Sequence, residues 1–201
     1  MPRAVHFLEI RGIEELGRDA AFIQVSLRHR WRTMKTIGDL GIAIARERDL
    51  DGILELQAAN QISNGGTLSA ALSRSQLQSI MSEMPLLVAR RDDDVVGFLI
   101  ASTTEAIRDI PIIMAMVESY PSRARDAYVY GPICIDAKER GKGLAQRLFD
   151  ELRRLLPGRE GVLFIRRDNE ASIRSHQKMG MREVSSFSYG GMDHVVFSYI
   201  G

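Results

Sequence analysis

The sequence predicts a mixed α/β domain, a single β-sheet with helices on both faces. Three features point there. Strand-length apolar runs alternate with stretches whose apolar residues recur at three- and four-residue steps. Turn residues separate them: "SNGG", the run Asp92 to Asp94, and the pair Gly190 and Gly191. A chain of 201 residues suits one full core and is short for two ordinary domains.

Residues 1–40 stand apart as an N-terminal helical extension, and residues 41–201 form the main domain. In the extension, Ile13, Leu16, Ala20 and Ile23 fall at helical spacing. A basic cluster, "RHRWRTMK", follows; it reads as a solvated helix face with Trp31 packed on the domain. The main domain opens with the short strand "IAIAR". Asp49 or Asp51 then caps a helix through "GILELQAANQ". A second helix, "LSAALSRSQLQSIM", stops before Pro85. "PLLVARRDDDVVGFLIAST" is a hairpin around the acidic turn. An insert over residues 105–126, helical or irregular, is interrupted by Pro111 and Pro121. "YVYGPICI" is a buried strand, followed by a turn and the helix "LAQRLFDELRRLL" with Leu144, Leu148, Leu152 and Leu155 inward. "GVLFIRR", the short helix "NEASIRSHQKMG" and two strands around Gly190–Gly191 complete six to seven strands.

Composition narrows the class. Apolar residues make up 45% and charged residues 26%, with a formal net charge of +1. Nothing global suits nucleic acid or an acidic membrane, so any anion site must be local. The lone Cys134 cannot form an internal disulfide, and no apolar run reaches membrane-spanning length. The N-terminus lacks a signal-peptide core, so the expected location is cytoplasmic. The four histidines are scattered and the cysteine is alone, so no metal site is expected.

The most informative stretch is "DAKERGKGLAQRL", from Asp136. Two glycines and three basic residues sit between a strand and an apolar helix. A helix N-terminus leaves up to four N–H groups without intrahelical partners and carries roughly half a positive charge. Glycine lets an anion approach that backbone, and Arg140 and Lys142 add charge of the right sign. The same glycines also suit an ordinary bend that needs positive φ. A P-loop is excluded by its spacing, and the dinucleotide fingerprint fails because Gln146 stands where its third glycine belongs.

What remains, Arg140-x-x-Gly143-x-Ala145, resembles the acyl-CoA-binding signature of the GNAT superfamily of N-acetyltransferases. The order of elements from Gly41 to Ile200 resembles that family too, with clear motifs over residues 128–181. The resemblance implies a mixed sheet splayed between strands 4 and 5, and an acetyl-CoA-dependent acyltransferase acting on a primary amine without a metal. It implies that backbone groups of Ile133 and Ile135 hold the pantetheine arm. It implies that the N–H groups of Arg140, Gly141, Lys142, Gly143, Leu144 and Ala145 hold the pyrophosphate, and that Asn169 meets pantetheine amides. Asn169 also suits capping the helix that follows it.

One position departs from the family. Where these enzymes usually carry a tyrosine near the cofactor sulfur, this chain has His176, which is taken as the catalytic residue. Histidine near its reference pKa of ~6.5 is mostly neutral at pH 7 and can still donate from one ring nitrogen to a departing thiolate. Equally, it can be an inert, hydrogen-bonded neighbour. Asp136, Glu83 and Tyr130 are the options for a general base. Cys134, between two isoleucines, reads as a small core residue. The expected partner is an amine-bearing acceptor, a small molecule or a protein terminus or lysine. No nucleic acid or membrane is expected, and the insert is read as a lid or a homodimer contact. The rival reading is a non-catalytic acyl-CoA sensor or interaction module; a weaker one makes "RHRWR" a nucleic-acid contact.

Overall fold

A computed structural model describes residues 40–68, 71–120 and 126–201. The expectations for the N-terminal helix, Trp31 and the basic cluster lie outside the described residues.

β1 (Leu40–Ile44) leads through a short 3-10 turn into α1 (Leu50–Ala59). Asp49 occupies the N-cap position of α1 and makes no side-chain cap. Its carboxylate instead accepts from the Arg46 N–H at 2.6 Å and from two nitrogens of Arg90. Burial pushes the Asp49 carboxyl up, but Arg90 and the Arg46 N–H outweigh it and hold it below the usual carboxylate range. α2 spans Arg74–Glu83, a shorter helix than the sequence suggests. A capping box fixes its start: Ser73 Oγ accepts from the Gln76 N–H, and Gln76 accepts from the Ser73 N–H.

The hairpin forms as expected from β2 (Leu86–Arg91) and β3 (Asp94–Ser102), turning at Asp92 with φ 56°. In the insert, Pro111 does not interrupt a helix; it begins one, α3 (Pro111–Ser119), in the first turn where a missing N–H goes unnoticed. β4 (Tyr128–Ile135), α4 (Leu144–Leu155), β5 (Glu160–Arg166), α5 (Glu170–Lys178), β6 (Arg182–Tyr189) and β7 (Met192–Ile200) follow.

The seven described strands form one open sheet in the order β1-β2-β3-β4-β5-β7-β6, with β4 and β5 its parallel pair. Alternation along the strands divides the core. Leu86, Val88, Phe98 and Ile100 face the side carrying Leu50 and Ile53 of α1, Leu77 and Ile80 of α2 and Met116 of α3. Leu87, Ala89, Leu99 and Ala101 face the other side, with Leu144, Leu148, Phe149 and Leu152 of α4. Leu155, expected inward, is only partly buried, and Phe149 fills the face beside it.

β4 holds the feature that shapes the site. Leu99 pairs with Ile133 and Ala101 with Tyr130, so Gly131 and Pro132 stand opposite one residue of β3 as a bulge. Gly131 has φ 102°, which a side chain would resist, and Pro132 has no N–H to offer a neighbour. The β4–β5 ladder stops just before them, after Tyr128–Gly161 and Val129–Val162. Beyond that point the two strands splay apart.

Candidate functional site

The splay opens a crevice of about 150 Å³. Ile133 and Cys134 of β4, Leu163 to Arg166 of β5, and Asn169, Ser172 and His176 around α5 line it on the α5 side and along the strands. Asn60, Thr67 and Leu68 after α1, with Ile113 of α3, line the opposite side. Four candidate residues therefore meet there: Ile133, Asn169 and His176, with Tyr130, one of the general-base options.

Ile133 and Ile135 turn their backbone groups toward the gap. The Asp136 N–H donates to Val96 O of β3 at 2.9 Å, so alternate residues of β4 face away from β3. The Ile135 carbonyl accepts from Arg140 Nε at 3.2 Å. Asn169 caps α5, its Oδ1 accepting from the Ser172 N–H at 3.2 Å.

His176 is buried, and Ser172, four residues earlier on the same helix face, sets its tautomer. Nδ1 lies 2.7 Å from Ser172 O, and a carbonyl can only accept, so Nδ1 carries the proton. In the neutral ring Nε2 then presents a lone pair, and Nε2 has no hydrogen-bond partner. Burial holds the imidazole below its ordinary pKa, although the Ser172 carbonyl works in the opposite direction. The Tyr130 ring meets it edge-on at 5.7 Å, and the Tyr130 hydroxyl is also buried and unpartnered. Burial raises the Tyr130 phenol far above its usual range, so it stays protonated and acts as a donor. Burial likewise pushes the Cys134 thiol up to about 12, which leaves almost no thiolate near neutrality. Asp136 and Glu83 do not line the crevice: Asp136 accepts from the Lys138 N–H, and Glu83 from Thr103 Oγ1.

Gly141, Lys142, Gly143, Leu144 and Ala145 form the turn into α4 and do not line the crevice. Gly141 and Gly143 have φ 74° and 78°, and a Cβ at either would meet nothing within 4 Å. Their glycines are therefore required by backbone conformation, while the space over the turn is open. Gly143 caps α4 without a side chain, and the first helical bond found there runs from the Arg147 N–H to Gly143 O. The N–H groups of the first turn are thus left for another acceptor.

Sequence reasoning missed two contacts of this turn. The buried Glu139 carboxylate takes both Arg91 (3.1 and 3.0 Å) and Lys142 Nζ (3.4 Å), and the Arg91 hydrogen bonds hold its pKa down. Arg140 Nη2 donates to Asn60 Oδ1 at 2.6 Å, tying the turn to the end of α1. Neither partnership leaves a local signal, because Arg91 and Asn60 lie 48 and 80 residues away in sequence. Among the described residues no cluster of three metal-ligating side chains occurs, and no helix is long and apolar enough to cross a membrane.

An open sheet splayed between a parallel fourth and fifth strand, with a glycine turn leading into the intervening helix, defines a fold class. The model of the acetyltransferase (GNAT) family matches residues 50–181, and the chain belongs to that family. Solved structures share the architecture at low identity. An N-acetyltransferase from Staphylococcus aureus is 21% identical, with a TM-score of 0.58 over 81% of this chain and 98% of that one. A ribosomal-protein-alanine N-acetyltransferase from Brucella melitensis is 21% identical, with a TM-score of 0.57 over 80% and 99%. The yncA protein of Salmonella typhimurium, solved with its cofactor acetyl-CoA, is 18% identical, with a TM-score of 0.58 over 81% and 94%. No curated protein sequence matches the chain.

Proposed function

We propose that the protein transfers an acetyl group from acetyl-CoA to a primary amine by direct attack, with both substrates bound together. The observation that carries this reading is the crevice at the β4–β5 splay, where β4 has no neighbouring strand on one side and a helix N-terminus without a side-chain cap lies beyond it. Ile133 and Ile135 offer main-chain groups where an extended amide-bearing chain can take the place of a neighbouring strand. The N–H groups of the turn from Arg140 to Ala145 suit a diphosphate, with Arg140 and Lys142 alongside. Arg140 would have to leave Asn60 and the Ile135 carbonyl to add its charge, and Lys142 would have to share with Glu139. Asn169 presents its amide at the other wall.

The buried pair beside the crevice supplies the chemistry. The Tyr130 hydroxyl is a donor without an acceptor, suited to a hydrogen bond with a developing thiolate or oxyanion. His176 Nε2 is a lone pair without a donor, so its protonation state favours accepting a proton over giving one. The general-acid role expected from its position would need an imidazolium, which burial opposes. Most of the rate acceleration then comes from holding two reactants in line.

Titration calorimetry with acetyl-CoA tests the binding half: heat is expected, and its absence overturns the reading. Free-thiol release tests the transfer half. Release that depends on an added amine is expected, whereas binding with no release under any amine would make the protein an acyl-CoA sensor on the same fold.

A further inference from the structure

Because it concerns the acceptor, this inference rests on the acetyl-transfer reading above. Among the described residues lining the crevice there is no aspartate or glutamate. Enzymes that take polyamines, or lysine-like side chains, must hold an alkylammonium ion and then remove its proton, and a carboxylate is the ordinary means for both. Here the side opposite α5 offers Leu68, Ile113 and Phe164 as an apolar wall, with Asn60 and Thr67 as neutral polar groups. The one formally charged residue among the described lining residues is Arg166, a cation. Its Nε and Nη2 are both engaged by the Asp168 carboxylate, so it offers little to a second anion. Among the described lining residues the one imidazole, with its free lone pair on His176 Nε2, sits in a ring that burial keeps neutral. Tyr130 meets that ring edge-on and Ser172 holds its other nitrogen, and no charged side chain is found to shift it.

We infer that the acceptor is an amine of low basicity on an apolar body: an α-amino group beside an amide carbonyl, carried by a residue with an aliphatic side chain. Such an amine reaches the crevice already deprotonated in useful amount. With a pKa near 7.7–8.0, about a tenth of it is neutral at pH 7, against roughly one part in 2,500 for an alkylamine at 10.4. The neutral nitrogen forms the C–N bond, and the C–S bond breaks as the tetrahedral adduct collapses. The nitrogen's surplus proton passes to His176 Nε2 or to water, and the sulfur leaves as thiolate and collects a proton from solvent. The amide carbonyl lowers the amine pKa and carries no charge, which suits a wall whose one described guanidinium is already taken.

Thiol release from acetyl-CoA with three amines at equal concentration tests this. Leucinamide has the proposed group, isoamylamine keeps the branched chain without the carbonyl, and spermidine is a polycation. At pH 7 leucinamide is expected to be at least about tenfold faster than either, with the gap closing as pH rises toward 10 and isoamylamine deprotonates. Leu68→Glu, which places the missing carboxylate on the wall, should narrow the gap in favour of spermidine. Isoamylamine or spermidine matching leucinamide at pH 7 would overturn the inference and leave the acetyltransferase reading standing. Acetyl-CoA binding without thiol release from any of the three would overturn the inference, while the transfer reading falls only if no amine at all releases thiol.

Discussion

β4 and β5 lie together at one end and apart at the other, and the two ends of this seam differ in how their polar groups are met. At the closed end Tyr128 and Tyr199 join hydroxyls, and Phe149 packs edge-on to Tyr199 at 4.8 Å. Tyr199 lies so close over Gly161 that a Cβ there would stand 2.5 Å from its ring. Where the seam opens, beside Gly131 and Pro132, Tyr130 OH and His176 Nε2 are buried with no partner, although the Tyr130 ring still packs edge-on against Phe149 and Tyr199. Each orphaned polar atom costs about 1–3 kcal/mol. On the proposed reading, a fold that satisfies one end of a seam and leaves polar atoms unsatisfied at the other separates stability from ligand binding. Closed-end changes should therefore cost stability, and open-end changes should cost function.

The largest effect tests the closed end. Phe149→Ala is expected to lose about 3–5 kcal/mol in urea unfolding, as for other buried aromatic truncations. An equal loss from His176→Phe would erase the contrast between the ends. That second variant should instead stay folded, bind acetyl-CoA as before and slow thiol release by about 10²-fold. Unchanged turnover would remove His176 from the mechanism. Next, Gly161→Ala forces a methyl against Tyr199 and should destabilise by about 1–3 kcal/mol, while leaving the Kd for acetyl-CoA near its original value at temperatures where the variant is folded. Gly143→Ala places a side chain at φ 78° in open space, so about 1–2 kcal/mol of strain is expected together with weaker acetyl-CoA binding by calorimetry.

The smallest effect is on pH. Burial lowers the pKa of His176, and of His194 on β7, below the ordinary 6.5. The unfolded chain therefore binds protons that the folded one refuses, so stability should fall as pH drops through 6.5 toward the folded-state values. Thermal melts from pH 7.5 down to 5 should show this loss, and His176→Phe should reduce it. A melting temperature that rises over that interval would contradict the burial-driven shift.

Much of this fold can be read in the chain itself. Strand and helix periodicity, the acidic hairpin turn, the glycines of the turn before α4 and the capping Asn169 all depend on residues within a few positions of one another. The misread elements are those where a local signal had two outcomes. Pro111 could break a helix or begin one, and Asp49 could cap α1 or pair with Arg90, 41 residues away. The candidate site could be read where its residues belong to one short motif and was hidden where distant segments meet. Asn60 under Arg140 and Arg91 on Glu139 have no signature in sequence.

By itself, then, the sequence determined the order of elements, the positive-φ turn and the family, because these follow from short-range sterics and hydrophobic spacing. Only the tertiary structure decided that β4 leaves β5 at Gly131, that His176 presents a bare Nε2, and that no described carboxylate lines the crevice. Those outcomes depend on burial and on which remote groups share a hydrogen bond, and both are properties of the packed chain.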